Sequence, residues 1–279
     1  MLLLHTGQSI RMKIDMDWES LLYNTEEKPL DKLVEGYSYT SIFRTIAFVG
    51  DSLSSGEFET VDEQGNRCYH DMFEYSWGQY IARKNGLKAY NFSRGGMTAK
   101  EYIESFAEKN GFWDKDKKCQ AYVIALGVND VFNWNQDIGV TEDVDPVDYH
   151  NNNKYTFIGN YAKIISRYKE ISPDAKFFFV TIPNDEYRKA EKQALIPKIN
   201  KALYDLTKVF SNSYVIDLCK YGPAYDDKFI DKFFLHGHMN PMGYIFTAQL
   251  IDSYIDYIVR HNPADFANVP FINTDIKYK

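Results

Sequence analysis

Cysteine is scarce in this sequence, whose 279 residues include three: Cys68, Cys119 and Cys219. Their odd number and wide spacing exclude a disulfide framework and a cysteine-based zinc site. Unpaired thiols of this kind are typical of a reducing compartment. We therefore expect a cytoplasmic protein.

Long apolar runs are also missing. The chain has no stretch of about 18 apolar residues, the length that a membrane-spanning helix needs. The apolar run Met1-Leu2-Leu3-Leu4 is too short for a signal peptide. We therefore expect no insertion into a membrane.

Positive charge is in deficit, because 32 Lys and Arg stand against 39 Asp and Glu, for a net charge of −7. Lys and Arg also form no cluster. Nucleic-acid binding needs a basic footprint, so we expect no nucleic-acid partner.

Buried strands alternate with helical segments from Arg44 onward. This alternation predicts an α/β protein with a parallel sheet and helices on both faces, in three α/β/α layers. We divide the chain into an N-terminal extension, 1–42, packed on the main domain, 43–279. The five predicted strands cover residues 45–49, 87–92, 121–126, 176–182 and 214–218.

Ser52, at the end of the first predicted strand, is well positioned to act as a nucleophile. Four apolar residues, 46–49, are followed by Gly50-Asp51-Ser52, so Ser52 lies just beyond the carboxyl end of a buried strand. Ligands of open α/β sheets bind at that edge. Gly, Asp and Ser are also common turn formers, so the tripeptide alone decides nothing.

Three further motifs fall at the same predicted edge. Gly96 follows the second strand, Asn129 follows the third, and His238 precedes the last helix. Because parallel strands end on one side, these residues can converge on Ser52. A nucleophile, a base and donors for an oxyanion are what acyl transfer requires.

These motifs resemble those of the SGNH hydrolases, the GDSL-type esterases and lipases. Gly50-Asp51-Ser52-Leu53 is similar to the first conserved block of that family. The segments 91–98, 127–130 and 238–243 are similar to later blocks, in family order. The resemblance implies a flavodoxin-like sheet in the order 2-1-3-4-5.

The resemblance also implies the roles of the residues. Ser52 is the expected nucleophile and His238 the expected base. Ser52 and Gly96 N–H groups and the Asn129 amide form the expected oxyanion hole. No metal and no organic cofactor is expected.

One departure from the family pattern concerns the third member of the triad. The family's aspartate stands three residues before its histidine, where this chain has Leu235. Asp231 is a possible substitute. The other possibility, which we favour, is a Ser-His dyad in which a backbone carbonyl orients His238. His236 is the second candidate for the base.

Other polar residues receive lesser roles. Asp51, His70 and Trp134 are candidate substrate contacts. Asp130 is expected to brace the turn after the third strand, and Glu57 and Glu59 are expected to be solvated. The acidic segment 137–148 fits no metal-binding loop and is expected to be solvated as well.

These observations predict a serine esterase that hydrolyses short-chain acyl esters, acetyl above all, with carbohydrate esters as the candidate substrates. The expected partner is a small acylated substrate, and the sequence does not indicate an oligomeric state. The alternatives are a thioesterase or lysophospholipase of the same family, and an inactive binding protein with the same fold.

Overall fold

The computed structural model describes residues 17–271 and has a parallel five-stranded sheet at its centre. The strands are β1 Thr45–Gly50, β2 Glu57–Val61, β3 Arg67–Asp71, β4 Lys88–Ser93, β5 Ala121–Ala125, β6 Lys176–Val180, β7 Ser213–Ile216, β8 Phe234–Leu235 and β9 His238–Met239. Two small antiparallel sheets accompany the central one, a hairpin of β2 and β3 and a pairing of the two-residue strands β8 and β9.

Helices connect these strands. They are α1 Glu19–Leu22, α2 Ser52–Ser55, α3 Trp77–Asn85, α4 Ala99–Glu101, α5 Ala107–Lys109, α6 Tyr149–Asn152, α7 Phe157–Ile171, α8 Ala190–Gln193, α9 Ile196–Val209, α10 Leu218–Tyr221, α11 Asp227–Phe233 and α12 Pro241–His261. A π-helical segment, Tyr102–Phe106, joins α4 to α5, and a second one, Val128–Asn133, follows β5.

The main sheet has the order β4-β1-β5-β6-β7, and its neighbouring strands are all parallel. Numbered along the chain within this sheet, the order is 2-1-3-4-5. The predicted α/β fold and strand order are therefore confirmed.

Side chains of β1 alternate between two hydrophobic cores. Ala47 and Val49 pack on the side of α7 and α9, whereas Ile46 and Phe48 pack on the side of α3 and α12. All four are fully buried. Successive side chains of a strand point to opposite faces, so an unbroken apolar run is what a strand between two helical layers needs.

The hairpin of β2 and β3 is the main feature that the sequence did not predict, because the segment up to about Asp71 is rich in Ser, Glu and Asp and so has the composition of a polar loop. Its apolar contact is Phe58, which packs edge-on against Tyr244 of α12. The Tyr244 hydroxyl donates a hydrogen bond of 2.6 Å to the Glu57 carbonyl oxygen. These contacts hold β2 beside the amino-terminal end of α12.

Residues 17–42 pack against α12. The Val34 N–H donates to Ser253 Oγ (2.9 Å), and Glu27 forms an ion pair with Arg260 (2.9 Å). The segment from Glu26 to Val34, whose sequence is compatible with a short helix, does not form one. The first part of the predicted extension, 1–16, lies outside the described residues, and the division at residue 42 stays a prediction.

Within residues 17–271, no helix combines the length and the apolar character that crossing a bilayer requires.

Candidate active site

Ser52 is the first residue of α2, immediately after β1. Asp51 caps this helix by accepting a hydrogen bond from the Leu53 N–H (3.2 Å). At Gly50 a Cβ would lie 2.1 Å from Ser54 Oγ, so only glycine lets α2 fold back so closely over the strand. In the part of the chain that the structure describes, Ser52 Oγ has no hydrogen-bond partner.

One cavity of about 830 Å³ lies at the carboxyl edge of the sheet. Ser52, Gly96, Asn129 and His238 all line it. The structure thus brings together the four residues that the sequence placed in one site.

Gly96 presents its backbone to this cavity. Its φ of +71° lies in the left-handed region that favours glycine, and a Cβ there would meet no atom within 4 Å. Across residues 17–271, its N–H donates to no protein acceptor. The group is therefore available to an oxyanion.

The Asn129 side chain is held in a defined orientation. Its Oδ1 accepts a hydrogen bond of 2.7 Å from Asn133 Nδ2. Its own Nδ2 donates to the Met97 carbonyl (3.1 Å) and, at 3.5 Å, to Asp51 Oδ2. Since the bond to Asp51 is long, a substrate oxygen can replace it at modest cost.

His238, on β9, lies between two glutamates of the neighbouring hairpin. Its Nδ1 is 3.3 Å from Glu59 Oε2, and its Nε2 is 3.0 Å from Glu57 Oε1. Nε2 is the nitrogen that would accept the proton of Ser52 if His238 is the base that the sequence predicts. In the structure it contacts Glu57 and is not hydrogen-bonded to the serine.

The strand period explains why both glutamates reach one ring. Glu57 and Glu59 stand two residues apart on β2 and so share a face. The expectation that they are solvated is wrong, because 8% of Glu57 and 1% of Glu59 is exposed. The pattern that could have indicated this strand is the alternation Glu57-Phe58-Glu59, because a half-buried strand has polar and apolar residues in alternation.

Glu59 has further partners that fix its position. Its carboxylate accepts a hydrogen bond from the Gly237 N–H (3.0 Å) and forms an ion pair with Arg67 (3.1 Å). Burial deprives a carboxylate of water, and such partners replace the lost hydrogen bonds. Glu59 therefore occupies the place at Nδ1 that the sequence left to Asp231 or to a backbone carbonyl.

The two glutamates also shift the pKa of the histidine. Burial lowers the pKa of His238, but the hydrogen bonds and negative charges of Glu57 and Glu59 outweigh it. The net result is a pKa above the ordinary 6.5.

Two buried aspartates, Asp51 and Asp130, lie beside Asn129. Burial raises the pKa of Asp51 to about 6 and that of Asp130 to about 7. Asp130 accepts a hydrogen bond of 2.9 Å from the Ala99 N–H. It thus fastens the start of α4 to the loop that carries Asn129, in keeping with its expected bracing role.

Several other predicted residues lie outside the cavity. Asp231 is exposed on α11 and does not contact His238. His70 is exposed on β3, where its ring pairs with the Thr60 hydroxyl (3.1 Å), and 74% of Trp134 is exposed. Asp51 does line the cavity, and so does His236 in the β8–β9 turn.

The sequence missed much of the remaining wall. Two exposed tyrosines contribute to it: Tyr69, whose ring packs edge-on against His238, and Tyr187. An Arg188–Asp185 ion pair (2.7 Å) also lines the cavity. Among the described residues, no group of three His, Cys, Asp or Glu side chains is placed to hold a metal ion.

The model of the GDSL-like lipase/acylhydrolase family matches residues 48–245. This range includes all four site residues. No curated protein matches the chain.

Solved structures share the fold. A carbohydrate esterase family 2 enzyme with a carbohydrate-binding domain, from Corynascus thermopiles (Myceliophthora fergusii), is 15% identical, with a TM-score of 0.53 over 77% of this chain and 66% of that one. A family two carbohydrate esterase from Clostridium thermocellum, in complex with cellohexaose, is 17% identical, with a TM-score of 0.51 over 80% and 65%. A carbohydrate esterase family 3 structure from Talaromyces cellulolyticus is 14% identical, with a TM-score of 0.51 over 78% and 98%.

Proposed function

This chain belongs to the GDSL-like lipase/acylhydrolase family, and we propose that it is a serine esterase. It removes short acyl groups, acetyl above all, from carbohydrates or similar small alcohols. Membership supports hydrolysis of acyl esters as the general activity. The observation that carries the specific proposal is the convergence of Ser52, Gly96, Asn129 and His238 on one cavity, with Glu59 at Nδ1 of the histidine.

The proposed reaction begins when Ser52 Oγ attacks the ester carbonyl and His238 Nε2 takes its proton. For this step Ser52 must replace Glu57 at Nε2. Catalytic hydrogen bonds of free enzymes often form only in the substrate complex. Glu59, at Nδ1, holds the ring in the tautomer with a free Nε2 and then stabilises the imidazolium.

The tetrahedral intermediate carries its negative charge on the former carbonyl oxygen. The N–H groups of Ser52 and Gly96 and the Asn129 amide can donate to it. His238 then gives the proton to the leaving alcohol. Water, activated by the same histidine, attacks the acyl-serine and releases the acid.

The preference for short acyl groups is supported by a second, smaller cavity. It has a volume of about 70 Å³ and shares lining residues with the main cavity, among them Leu53, Val128 and Ile182. Behind them it is bounded by apolar side chains such as Trp77 and Met239. A space of this size suits an acyl chain of few carbons and not a fatty-acyl chain.

The preference for carbohydrates is supported by the exposed tyrosines that line the cavity and by neighbours that are carbohydrate esterases. The ring of a tyrosine provides a flat apolar face with a polar edge, which suits a partly polar ligand. An acylated small alcohol is thus the proposed partner.

The test is hydrolysis of p-nitrophenyl esters from acetate to dodecanoate by the wild type, Ser52→Ala and His238→Ala. The matched control is His70→Ala, which removes a histidine outside the cavity. We expect a maximum between acetate and butyrate, near-abolition in the first two variants and no change in the control. Turnover indifferent to Ser52, or none at all, would refute the esterase.

The inactive binding protein remains the second candidate. Leu235 at the family's aspartate position favours this candidate, whereas the Glu59 carboxylate at Nδ1 speaks against it. A fluorophosphonate probe separates the two, because it labels an activated serine and leaves an inert one unmodified. A maximum of p-nitrophenyl ester hydrolysis at long acyl chains would favour a lysophospholipase.

A further inference from the structure

Glu57 is a carboxylate inside the cavity that the reaction above does not use. Its Oε1 lies 3.0 Å from His238 Nε2, while its Oε2 makes no hydrogen bond or ion pair within residues 17–271. A Cβ on Gly95 would lie 1.8 Å from that Oε2, so the carboxylate extends from the histidine to the loop that carries Gly96. Its backbone is fixed by Tyr244, as described above.

The position of Glu57 relates it to the alcohol part of the ester. His238 must give its proton from Nε2 to the leaving oxygen, which brings that oxygen to about 3 Å from Nε2. Glu57 Oε1 is at the same distance from the same nitrogen. Substituents on the carbon next to the leaving oxygen therefore come within reach of the Glu57 carboxylate.

The chemistry of the group selects the substituent. An ionised carboxylate only accepts hydrogen bonds, and Oε2 has its lone pairs unused. A second carboxylate, Asp51, also lines the cavity, so an anionic substituent would be repelled. A hydroxyl group is neutral and can donate.

We propose that Glu57 is a specificity-determining residue that accepts a hydrogen bond from a hydroxyl next to the scissile ester, as in a partially acylated polyol or sugar. This inference rests on the proposed esterase function. The substrate hydroxyl gives the carboxylate a partner in place of His238 Nε2 and so frees that nitrogen for Ser52. Esters without the hydroxyl leave Glu57 on the histidine and react more slowly.

The experiment compares two nearly isosteric esters, 2-hydroxyethyl acetate and n-propyl acetate, with acid release followed by pH-stat. We expect the wild type to favour the hydroxylated ester in kcat/KM by about tenfold, since hydrogen bonds to charged groups are the stronger ones. In Glu57→Met, which keeps the length but has no strong acceptor, the ratio falls to about one. Glu57→Gln, whose amide oxygen still accepts, restores part of it.

The control is Glu63→Met, an exposed glutamate in the turn of the same hairpin, for which the ratio stays at its wild-type value. Circular dichroism establishes that each variant is folded. A wild-type ratio near one, or an unchanged ratio in Glu57→Met, would overturn the role of Glu57 while Ser52-dependent hydrolysis upheld the esterase. If neither ester is hydrolysed in a Ser52-dependent manner, the esterase and this inference both fail.

Discussion

Glu59 Oε2 lies 3.3 Å from Nδ1 of His238, although 178 residues lie between them in the chain and the carboxylate comes from a hairpin. The usual aspartate position of the family, three residues before the histidine, holds Leu235. The carboxylate partner of the imidazole is therefore supplied from the opposite end of the domain sequence.

The first prediction concerns this carboxylate. Glu59→Gln keeps the side-chain shape but removes the charge that stabilises the imidazolium, and it can hold the wrong tautomer. We expect kcat for p-nitrophenyl acetate to fall by about 10²–10⁴, since the corresponding change in a serine protease triad costs up to about 10⁴.

The comparison variant is Asp231→Asn, which changes the exposed acid that the sequence offered for the same role. Because Asp231 does not contact His238, its loss should leave kcat at the wild-type value. If Asp231→Asn lost activity and Glu59→Gln kept it, the geometry described here would not be that of the working enzyme.

The second prediction is a pH profile. His238 accepts a proton only when neutral, so kcat/KM rises with pH through its pKa, which the two glutamates raise above 6.5. Glu57→Gln removes one negative charge and lowers that pKa, so the acidic limb moves to lower pH. An acidic limb that stays in place would show that Glu57 does not act on His238.

The raised pKa of His238 also predicts how the stability of the fold depends on pH. A histidine with a raised pKa in the folded state stabilises the fold at low pH, and this contribution is lost as pH rises through the folded pKa. The difference in Tm between wild type and Glu57→Gln should therefore be larger below pH 6.5 than well above it.

The third prediction concerns Asp51, whose burial raises its pKa from the ordinary 3.8 to about 6. The folded state thus disfavours the charged form, and stability falls as pH rises from about 4 through about 6. Asp51→Asn removes this cost and still caps α2, because asparagine is as good an N-cap as aspartate.

We expect Asp51→Asn to raise Tm at pH 8 and to change it little at pH 4, as measured by differential scanning calorimetry. Asp62 provides a control of opposite sign, since hydrogen bonds from Asn66 lower its pKa. Asp62→Asn should not raise Tm at pH 8. A gain for Asp51→Asn that is equal at both pH values would exclude the buried charge as its cause.

The site residues at the strand ends could be predicted from the sequence, because all strands of a parallel sheet end at the same edge. Ser52, Gly96 and Asn129 each follow a strand of a parallel sheet, so knowing the strands is enough to bring them to one edge. His238 could be added because it precedes a helix with a clear N-terminal signal, Asn240-Pro241.

The residues that come from the hairpin were not readable in this way. Glu59 reaches His238 only because β2 packs beside β9, and no local pattern specifies that contact. The same hairpin decides that Tyr69, and not His70, lines the cavity, since adjacent residues of β3 point to opposite faces. His70 was a candidate substrate contact because β3, the strand that turns its side chain away from the cavity, had not been predicted.

The last prediction concerns Asn133, whose Nδ2 donates to Asn129 Oδ1 at 2.7 Å. This bond leaves the Asn129 Nδ2 on the side of the Met97 carbonyl and Asp51, where the proposed oxyanion would accept its hydrogen bond. Asn129→Ala removes the donor and should lower kcat by about 10²–10³.

Two substitutions at residue 133 separate orientation from simple packing. Asn133→Ala removes the orienting bond and leaves Asn129 free to adopt either orientation, so kcat should fall by less than in Asn129→Ala. Asn133→Asp introduces an acceptor that attracts the Asn129 Nδ2 and favours the flipped amide, so kcat should fall further than in Asn133→Ala. Equal losses in the two variants, measured on p-nitrophenyl acetate at saturating concentration, would mean that Asn133 acts by packing and not by orienting the oxyanion donor.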